Sequence, residues 1–284
     1  WSIRRRGSET GMEFSPKQRR VLTWWRPGSP DRDKQAIICD GAVRSGKTLC
    51  TGLSFFCWAM QRFQNRRFAL CGRTIVSVRR NLLEELLPLL EGMGFRCRQK
   101  TSQNLLEVRL GRRKNTFYLF GGKDEGSAAL IQGLTLAGAL LDEVALMPRS
   151  FVEQAAARCS VSGSRLWFSC NPESPGHWFY REWIEKAREK NCLYLHFTMR
   201  DNPSLTPGSS RIHAYENDRI ILPLCASYKV PVIMNSDAHF TTSVGDHARA
   251  EALLKELNFP ETLIANYHPE ILKEYIPDLA DFQG

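Results

Sequence analysis

The chain has 284 residues, a length that suits one large domain or two modest ones. With 43% hydrophobic and 24% charged residues it can bury a core, which excludes wholesale disorder. The net charge of +9 is uneven: residues 1–205 hold 33 Lys and Arg against 19 Asp and Glu, and residues 206–284 hold 6 against 11.

Short apolar runs alternate with amphipathic segments, which predicts an α/β fold. Ala36–Cys39 reads as a buried strand entering a Gly-rich turn, followed by a helix from Lys47 to about Met60. Phe68–Cys71 reads as a strand, and Ser77–Leu90 as one helix with apolar spacing at Leu82, Leu83, Leu86, Leu87 and Leu90. Leu105–Leu110 and Thr116–Phe120 alternate around a turn at Gly111-Arg112-Arg113-Lys114, the pattern of a hairpin. Leu136–Leu141, Arg165–Ser169 and Leu193–Phe197 read as further strands, with helices near Phe151–Arg158 and Trp178–Lys190. Past the turn-like Pro207-Gly208-Ser209-Ser210 the texture changes, and a new strand–helix series is expected from about Ile220.

The longest uncharged stretch, Gly126–Leu141, has 16 residues and is too short to span a bilayer. Arg4-Arg5-Arg6 leads into polar residues, so no signal peptide is read, and residues 1–11 read as a non-native or disordered extension. Nine scattered Cys without a C-x-x-C pair argue against a zinc site or disulfide framework and for a reduced, cytoplasmic protein.

Gly41-Ala-Val-Arg-Ser-Gly-Lys47-Thr48 matches G-x-x-x-x-G-K-T between a strand and a helix, the context that marks a P-loop. Backbone N–H groups of Gly41, Ser45 and Gly46 would curl around phosphate oxygens, aided by the helix N-terminus. Lys47 would reach the outer phosphates of ATP, and the Thr48 hydroxyl would ligate Mg²⁺. Asp142 and Glu143 close a buried strand 95 residues after Lys47. Alone, such a pair reads as a solvated turn or a helix cap. Beside a P-loop, Asp142 becomes a metal-side acid and Glu143 the group that polarises water. Basic clusters, among them Arg112–Lys114, suit either a polyanion such as double-stranded DNA or a solvated surface.

These residues carry a resemblance. Phe14-Ser-Pro-Lys-Gln18, the P-loop, Cys71-Gly-Arg-Thr74, Phe120-Gly-Gly-Lys-Asp124, Leu141–Pro148, Phe168-Ser-Cys-Asn-Pro172 and His196–Pro203 resemble the N-terminal ATPase domain of phage terminase large subunits. The resemblance covers residues 12–207 and implies a P-loop NTPase of the RecA-like, ASCE type: a mostly parallel sheet flanked by helices. It implies Gln18 on the adenine side, Asn171 in a coupling motif and Arg44 as the P-loop arginine, although Arg44 also reads as a solvent-facing loop residue. It further implies a DNA-packaging motor in a bacterial host, with a homo-oligomeric ring, a portal or procapsid and a small terminase subunit as partners. No membrane partner is expected. Nothing after Pro207 resembles the family's nuclease, so nuclease activity is not expected.

Within residues 208–284, about Arg211 to Phe282 resembles something different. Asn217-Asp-Arg-Ile-Ile, Ser236-Asp-Ala-His239, Val244-Gly-Asp246 and Leu257-Asn-Phe-Pro260 are similar to the C-terminal end of the polymerase-and-histidinol-phosphatase (PHP) superfamily. The resemblance implies a partial β/α-barrel fragment with Asp237 and His239 as vestigial metal ligands. Read alone, Asp237-x-His239 fits a turn or a hydrogen-bonded pair as well. The superfamily's early His-x-His and middle ligands have no counterpart. The alternatives to a motor ATPase are therefore a metal-dependent phosphoesterase using Asp237 and His239, or a chimeric product that only binds nucleotide.

Overall fold

The computed structural model describes residues 13–42, 44–171, 174, 176–204, 214–234, 247–268 and 270–271. The chain divides into two compact units, Trp1–Leu205 and Thr206–Gly284.

The first unit contains α1 (Pro16–Thr23), β1 (Ala36–Gly41), α2 (Lys47–Arg62), β2 (Arg67–Gly72), α3 (Ile75–Ser77) and α4 (Glu84–Gly92). There follow β3 (Arg96–Lys100), β4 (Leu105–Leu110), β5 (Arg113–Gly121), β6 (Gly138–Leu141), α5 (Arg149–Arg158), β7 (Arg165–Ser169) and β8 (Cys192–Phe197). The eight strands form one sheet in the order β3-β4-β5-β2-β6-β7-β1-β8. All neighbours from β5 to β8 are parallel, and β4 runs antiparallel to both β3 and β5. The mostly parallel α/β sheet flanked by helices agrees with the expected fold class.

The central strands are apolar because both sheet faces are covered. Every residue of β1 and β6 is buried. One face packs on α2, with Phe55, Trp58, Phe68, Phe117 and Trp167 in edge and stacked contacts. The other face packs Ile38, Ala139, Leu141 and Phe168 against Ile131, Phe151, Val152 and Phe179. Helix α2 is central, with 11 of its 16 residues buried.

Three elements depart from the sequence reading. The expected helix Ser77–Leu90 is broken by a π-helical turn, Val78–Leu83, between α3 and α4. Trp178–Lys190 likewise contains a π-helical turn, Tyr180–Ile184, followed by turns rather than a regular helix. Strand β3, Arg-Cys-Arg-Gln-Lys, carries no apolar alternation, because no residue of this edge strand is buried on either face.

In the second unit, α6 (Ala214–Ser227) occupies the segment around Ile220 that reads as the start of a strand–helix series. Helix wins because Leu222, Cys225 and Ala226 recur at helical spacing on a small core of Met234, Leu254, Phe259 and Ile264. Helix α7 (Ala248–Glu256) carries Leu254, and Arg219 on α6 pairs with Glu256 at 2.5 Å. Val232 and Ile264 form an isolated parallel bridge, and the Asn266 amide pairs with both backbone groups of Met234. The described residues of this unit form no barrel sheet. Asp237 and His239 lie outside the described residues.

Candidate functional site

Strand β1 delivers the chain to the loop through Gly41, whose φ of +115° and 2.0 Å gap between a built Cβ and the Phe197 carbonyl admit only glycine. The loop returns through two left-handed residues, Arg44 (φ +63°) and Gly46 (φ +79°), before α2 begins at Lys47. This aims the unpaired N–H groups of a helix start at the crevice above the strand ends.

Lys47 is only 8% exposed, and burial lowers the affinity of its amine for a proton. Its Nζ donates to the Gly41 and Ala42 carbonyls at 3.1 Å each and to Asn171 Oδ1 at 2.8 Å. All three acceptors are neutral, so a buried cation here lacks a bonded anion. Beside it, the fully buried Ser45 hydroxyl has no hydrogen-bond partner among the described residues. A cradle with a buried ammonium and an orphaned hydroxyl fits a phosphate group.

β7 lies between β1 and β6, so the P-loop and the acidic pair are separated by one strand. Its last residue, Ser169, spans that gap. Ser169 Oγ donates to Asp142 Oδ1 and accepts from the Glu143 N–H at 3.3 Å. Thr48 Oγ1 donates to the same Asp142 oxygen at 3.2 Å. Asp142 is buried, which pushes its carboxyl above the usual range, against the pull of the Ser169 and Thr48 hydrogen bonds and the Lys47 charge. Glu143 sits at φ +54°, a left-handed conformation costing about 1–3 kcal/mol in a non-glycine residue. Its carboxyl is raised by burial and then by Asp142, with Lys47 and Arg80 opposing. The oxygens of Thr48 and Asp142 form a hard donor set that fits Mg²⁺.

The structure thus brings together Gly41, Ser45, Gly46, Lys47, Thr48, Asp142, Glu143 and Asn171. Gln18 lies beneath the loop, 3% exposed, with Oε1 accepting from Ser15 N and Nε2 donating to the Ser45 carbonyl. The Arg44 side chain is exposed, while its carbonyl accepts from Asn202 Nδ2 at 2.7 Å. Ser169 and Asn202 were not singled out by the sequence reading, although both lie in segments that it quoted. A further unanticipated group lies on β1 and β8: buried Asp40 accepts from Tyr194 Oη and contacts His196 Nδ1, both at 3.0 Å.

The basic residues are redistributed. Arg113 donates to the Met60 and Gln61 carbonyls at the end of α2, so it closes that helix rather than standing free at the hairpin turn. Arg96, Arg98, Lys100, Arg109 and Lys114 share the face of β3–β5 opposite Leu106, Val108 and Phe117. Glu107 lies among them and pairs with Lys100 at 2.8 Å and Lys114 at 3.1 Å.

A family model described as terminase large subunit, T4likevirus-type, N-terminal, matches residues 38–271. The chain belongs to this terminase family. The match runs beyond residue 207, where the resemblance read from the sequence ended. The large terminase of a thermophilic bacteriophage, solved in complex with ADP, is 49% identical with a TM-score of 0.68, over 73% of this chain and 50% of that one. The large terminase of bacteriophage HK97 is 12% identical with a TM-score of 0.53, over 76% of this chain and 49% of that one, and shares the fold. A protein of Clostridium botulinum named "probable phosphatase" is 33% identical over 95 residues, 33% of this chain and 35% of that protein. The chain therefore spans about half the length of the thermophilic phage's terminase and about a third of that phosphatase. Among the described residues no helix is long and apolar enough to cross a membrane.

Proposed function

We propose that residues 12–207 form an ATP-hydrolysing motor domain of a phage terminase large subunit. The observation that carries this reading is the convergence of Lys47, Thr48, Asp142, Glu143, Ser169 and Asn171 at the ends of β1, β6 and β7. The ADP complex of the thermophilic phage's terminase supports a nucleotide as the ligand.

In this reading Lys47 leaves its neutral acceptors and donates to the β- and γ-phosphate oxygens. Asn171, released from Lys47, faces the γ-phosphate. Glu143 accepts a proton from the attacking water, whose oxygen bonds to phosphorus as the bond to the ADP oxygen breaks. Thr48 and Asp142 would hold Mg²⁺, which would supply charge neutralisation at the phosphates. Ser169 keeps both acids in place. Arg44, exposed on the loop, is positioned to reach a phosphate only after its side chain turns inward.

Double-stranded DNA is the polyanion that suits the cations Arg96, Arg98, Lys100, Arg109 and Lys114 on the open sheet face. A homo-oligomeric ring on a portal or procapsid with a small terminase subunit, in the host cytoplasm, is the matching context. Nuclease activity is not part of this proposal. Residues 208–284 are read as a fragment of a phosphoesterase scaffold in which Asp237 and His239 are vestigial ligands, and the 95-residue likeness to a probable phosphatase, longer than this segment, is a distant hint in the same direction. Two ligands do not make a multinuclear centre.

The test is ATP hydrolysis with and without Mg²⁺ and double-stranded DNA, for the parent, Lys47→Ala and Glu143→Ala. Both substitutions are expected to lower turnover by about 10²-fold or more. Unchanged turnover in both variants overturns the reading.

A further inference from the structure

Asp40 stands directly before Gly41 and is only 2% exposed. Strand β1 pairs in parallel with the edge strand β8, with Asp40 opposite His196 and Ile38 opposite Tyr194. The side chains of Asp40, Tyr194 and His196 therefore share one sheet face. Asp40 Oδ2 accepts from Tyr194 Oη, and Oδ1 meets His196 Nδ1, both at 3.0 Å. Burial and then the Asp40 charge raise the Tyr194 phenol above its ordinary value, so its hydroxyl remains a donor. A carboxylate has no proton to give, so His196 Nδ1 carries the hydrogen. Nε2 is then the basic nitrogen of the ring, on a side chain that is 55% exposed.

Three other groups act on Asp40 or feel its charge: Lys47 at the start of α2, Cys39 on its own strand and Cys170 past the end of β7. Burial pushes both thiols up, so neither carries charge. Burial also raises the Asp40 carboxyl, and the charges of His196 and Lys47 pull it back down. Lys47 itself donates only to neutral acceptors, the Gly41 and Ala42 carbonyls and Asn171 Oδ1. Asp40 is the neighbour in sequence of the first of these, so the ammonium is balanced through space by a carboxylate that it does not bond.

We propose that Asp40 is a positioning residue of the phosphate site that divides its charge between Lys47 and His196, and that phosphate arriving at Lys47 draws a proton from solvent onto His196 Nε2. This rests on the nucleotide-binding reading above and adds a proton-binding partner to it. Before phosphate arrives, Asp40 offsets the Lys47 ammonium. A phosphate oxygen then takes that ammonium at bonding distance and makes the surroundings of Asp40 and His196 more negative. A nearby negative charge favours the imidazolium over the neutral ring. The charged ring pairs with Asp40, and Tyr194 keeps the other carboxylate oxygen. Asp40 thus stays ionised behind Gly41. Strand β8 keeps its hold on the mouth of the loop, where the Ala42 N–H donates to the Phe197 carbonyl at 2.9 Å.

Titration calorimetry with ADP and Mg²⁺, run at pH 7 in buffers of different ionisation enthalpy, counts the protons exchanged on binding. His196→Asn keeps an amide nitrogen near the Nδ1 position and removes the titrating one. Asp40→Asn removes the carboxylate charge, and Tyr194→Phe removes a hydrogen bond but neither charge. Protons exchanged by the nucleotide are common to all four proteins, so differences between them carry the result. The parent and Tyr194→Phe are expected to take up about half a proton more per ADP than His196→Asn and Asp40→Asn. Uptake on binding means that affinity falls as pH rises. From pH 6.5 to 7.5 the parent should therefore lose about threefold more affinity than His196→Asn. Equal proton counts in the parent and His196→Asn overturn the proposal, whether or not Asp40→Asn folds. Loss of the extra uptake in Tyr194→Phe overturns it too, because both charges remain there. A folded parent that binds no ADP overturns the nucleotide-binding reading itself, a result distinct from the other two.

Discussion

Lys47 Nζ donates to Asn171 Oδ1 at 2.8 Å, joining residues 124 positions apart at the heart of the crevice. The bond sets the loop after β1 against the end of β7 without any charged acceptor. Under the proposed ATPase reading, Asn171 would hold the ammonium ready for an incoming phosphate, which makes position 171 a direct test of that reading.

Asn171→Asp is the sharpest probe of that bond. An aspartate would form a buried charge pair with Lys47 and compete with the nucleotide for the ammonium. Nucleotide affinity is expected to fall about tenfold, whereas Asn171→Ala should lower kcat with a smaller change in affinity. Titration calorimetry and steady-state kinetics on the two variants check this, and equal affinities for the parent and Asn171→Asp would count against it.

Ser169 supports both acids, so its hydroxyl should matter beyond its size. Ser169→Ala removes a donor from Asp142 and an acceptor from the Glu143 N–H. Loss of a partner to a metal-side carboxylate typically weakens metal binding by about 10- to 100-fold. The Mg²⁺ concentration needed for half-maximal ATP hydrolysis is expected to rise by that factor, while hydrolysis at saturating Mg²⁺ recovers in part.

Gly41→Ala tests the backbone requirement at the mouth of the loop. The added Cβ would meet the Phe197 carbonyl oxygen at 2.0 Å, and φ of +115° disfavours any side chain. The chain must separate β1 from β8 to accept it. A loss of about 1–3 kcal/mol is expected, seen as a melting point lower by several degrees, together with weakened nucleotide binding.

What could be read from the sequence was contiguous. Gly41–Thr48 carries its own geometry in its glycines, and Asp142-Glu143 follows a short apolar run that reads as a buried strand. Ser169 and Asn202 were not legible as site residues, because their partners depend on the lateral order of strands. Nothing local says that β7 lies beside β6, and only that order places Ser169 against Asp142. Gln18 is read by resemblance on the adenine side; its bonds to the Ser15 N–H and the Ser45 carbonyl are tertiary and capping contacts that the resemblance does not announce. Strand β3 escaped notice because neither of its faces is buried, so Cys97 and Gln99 supply no apolar alternation against Arg96, Arg98 and Lys100.

The same exposed face yields the last prediction. Arg96, Arg98, Lys100, Arg109 and Lys114 surround one acid, Glu107, whose carboxyl is pulled down to about 2 by hydrogen bonds from Lys100 and Lys114. Two of the five cations are therefore partly neutralised by Glu107, and three stand free of it. If this face contacts DNA, alanine at Arg96, Arg98 or Arg109 should lower the salt dependence of binding by about one unit of slope each, irrespective of DNA sequence. Glu107→Gln should act in the opposite direction, tightening DNA binding and steepening the slope by releasing Lys100 and Lys114. The same substitution has a signature in stability. A carboxylate whose pKa is lower in the folded state stabilises the fold above its unfolded value, near 4.5, and loses that contribution as pH falls toward 2. Glu107→Gln should remove this part of the acid sensitivity, so the parent's advantage over the variant seen at pH 6 should shrink steadily below pH 4.5. Filter binding across a salt series and melting curves across pH check the two halves separately. Tighter DNA binding without the change in acid sensitivity would show that Glu107 acts on the DNA surface by charge alone, without its ion pairs.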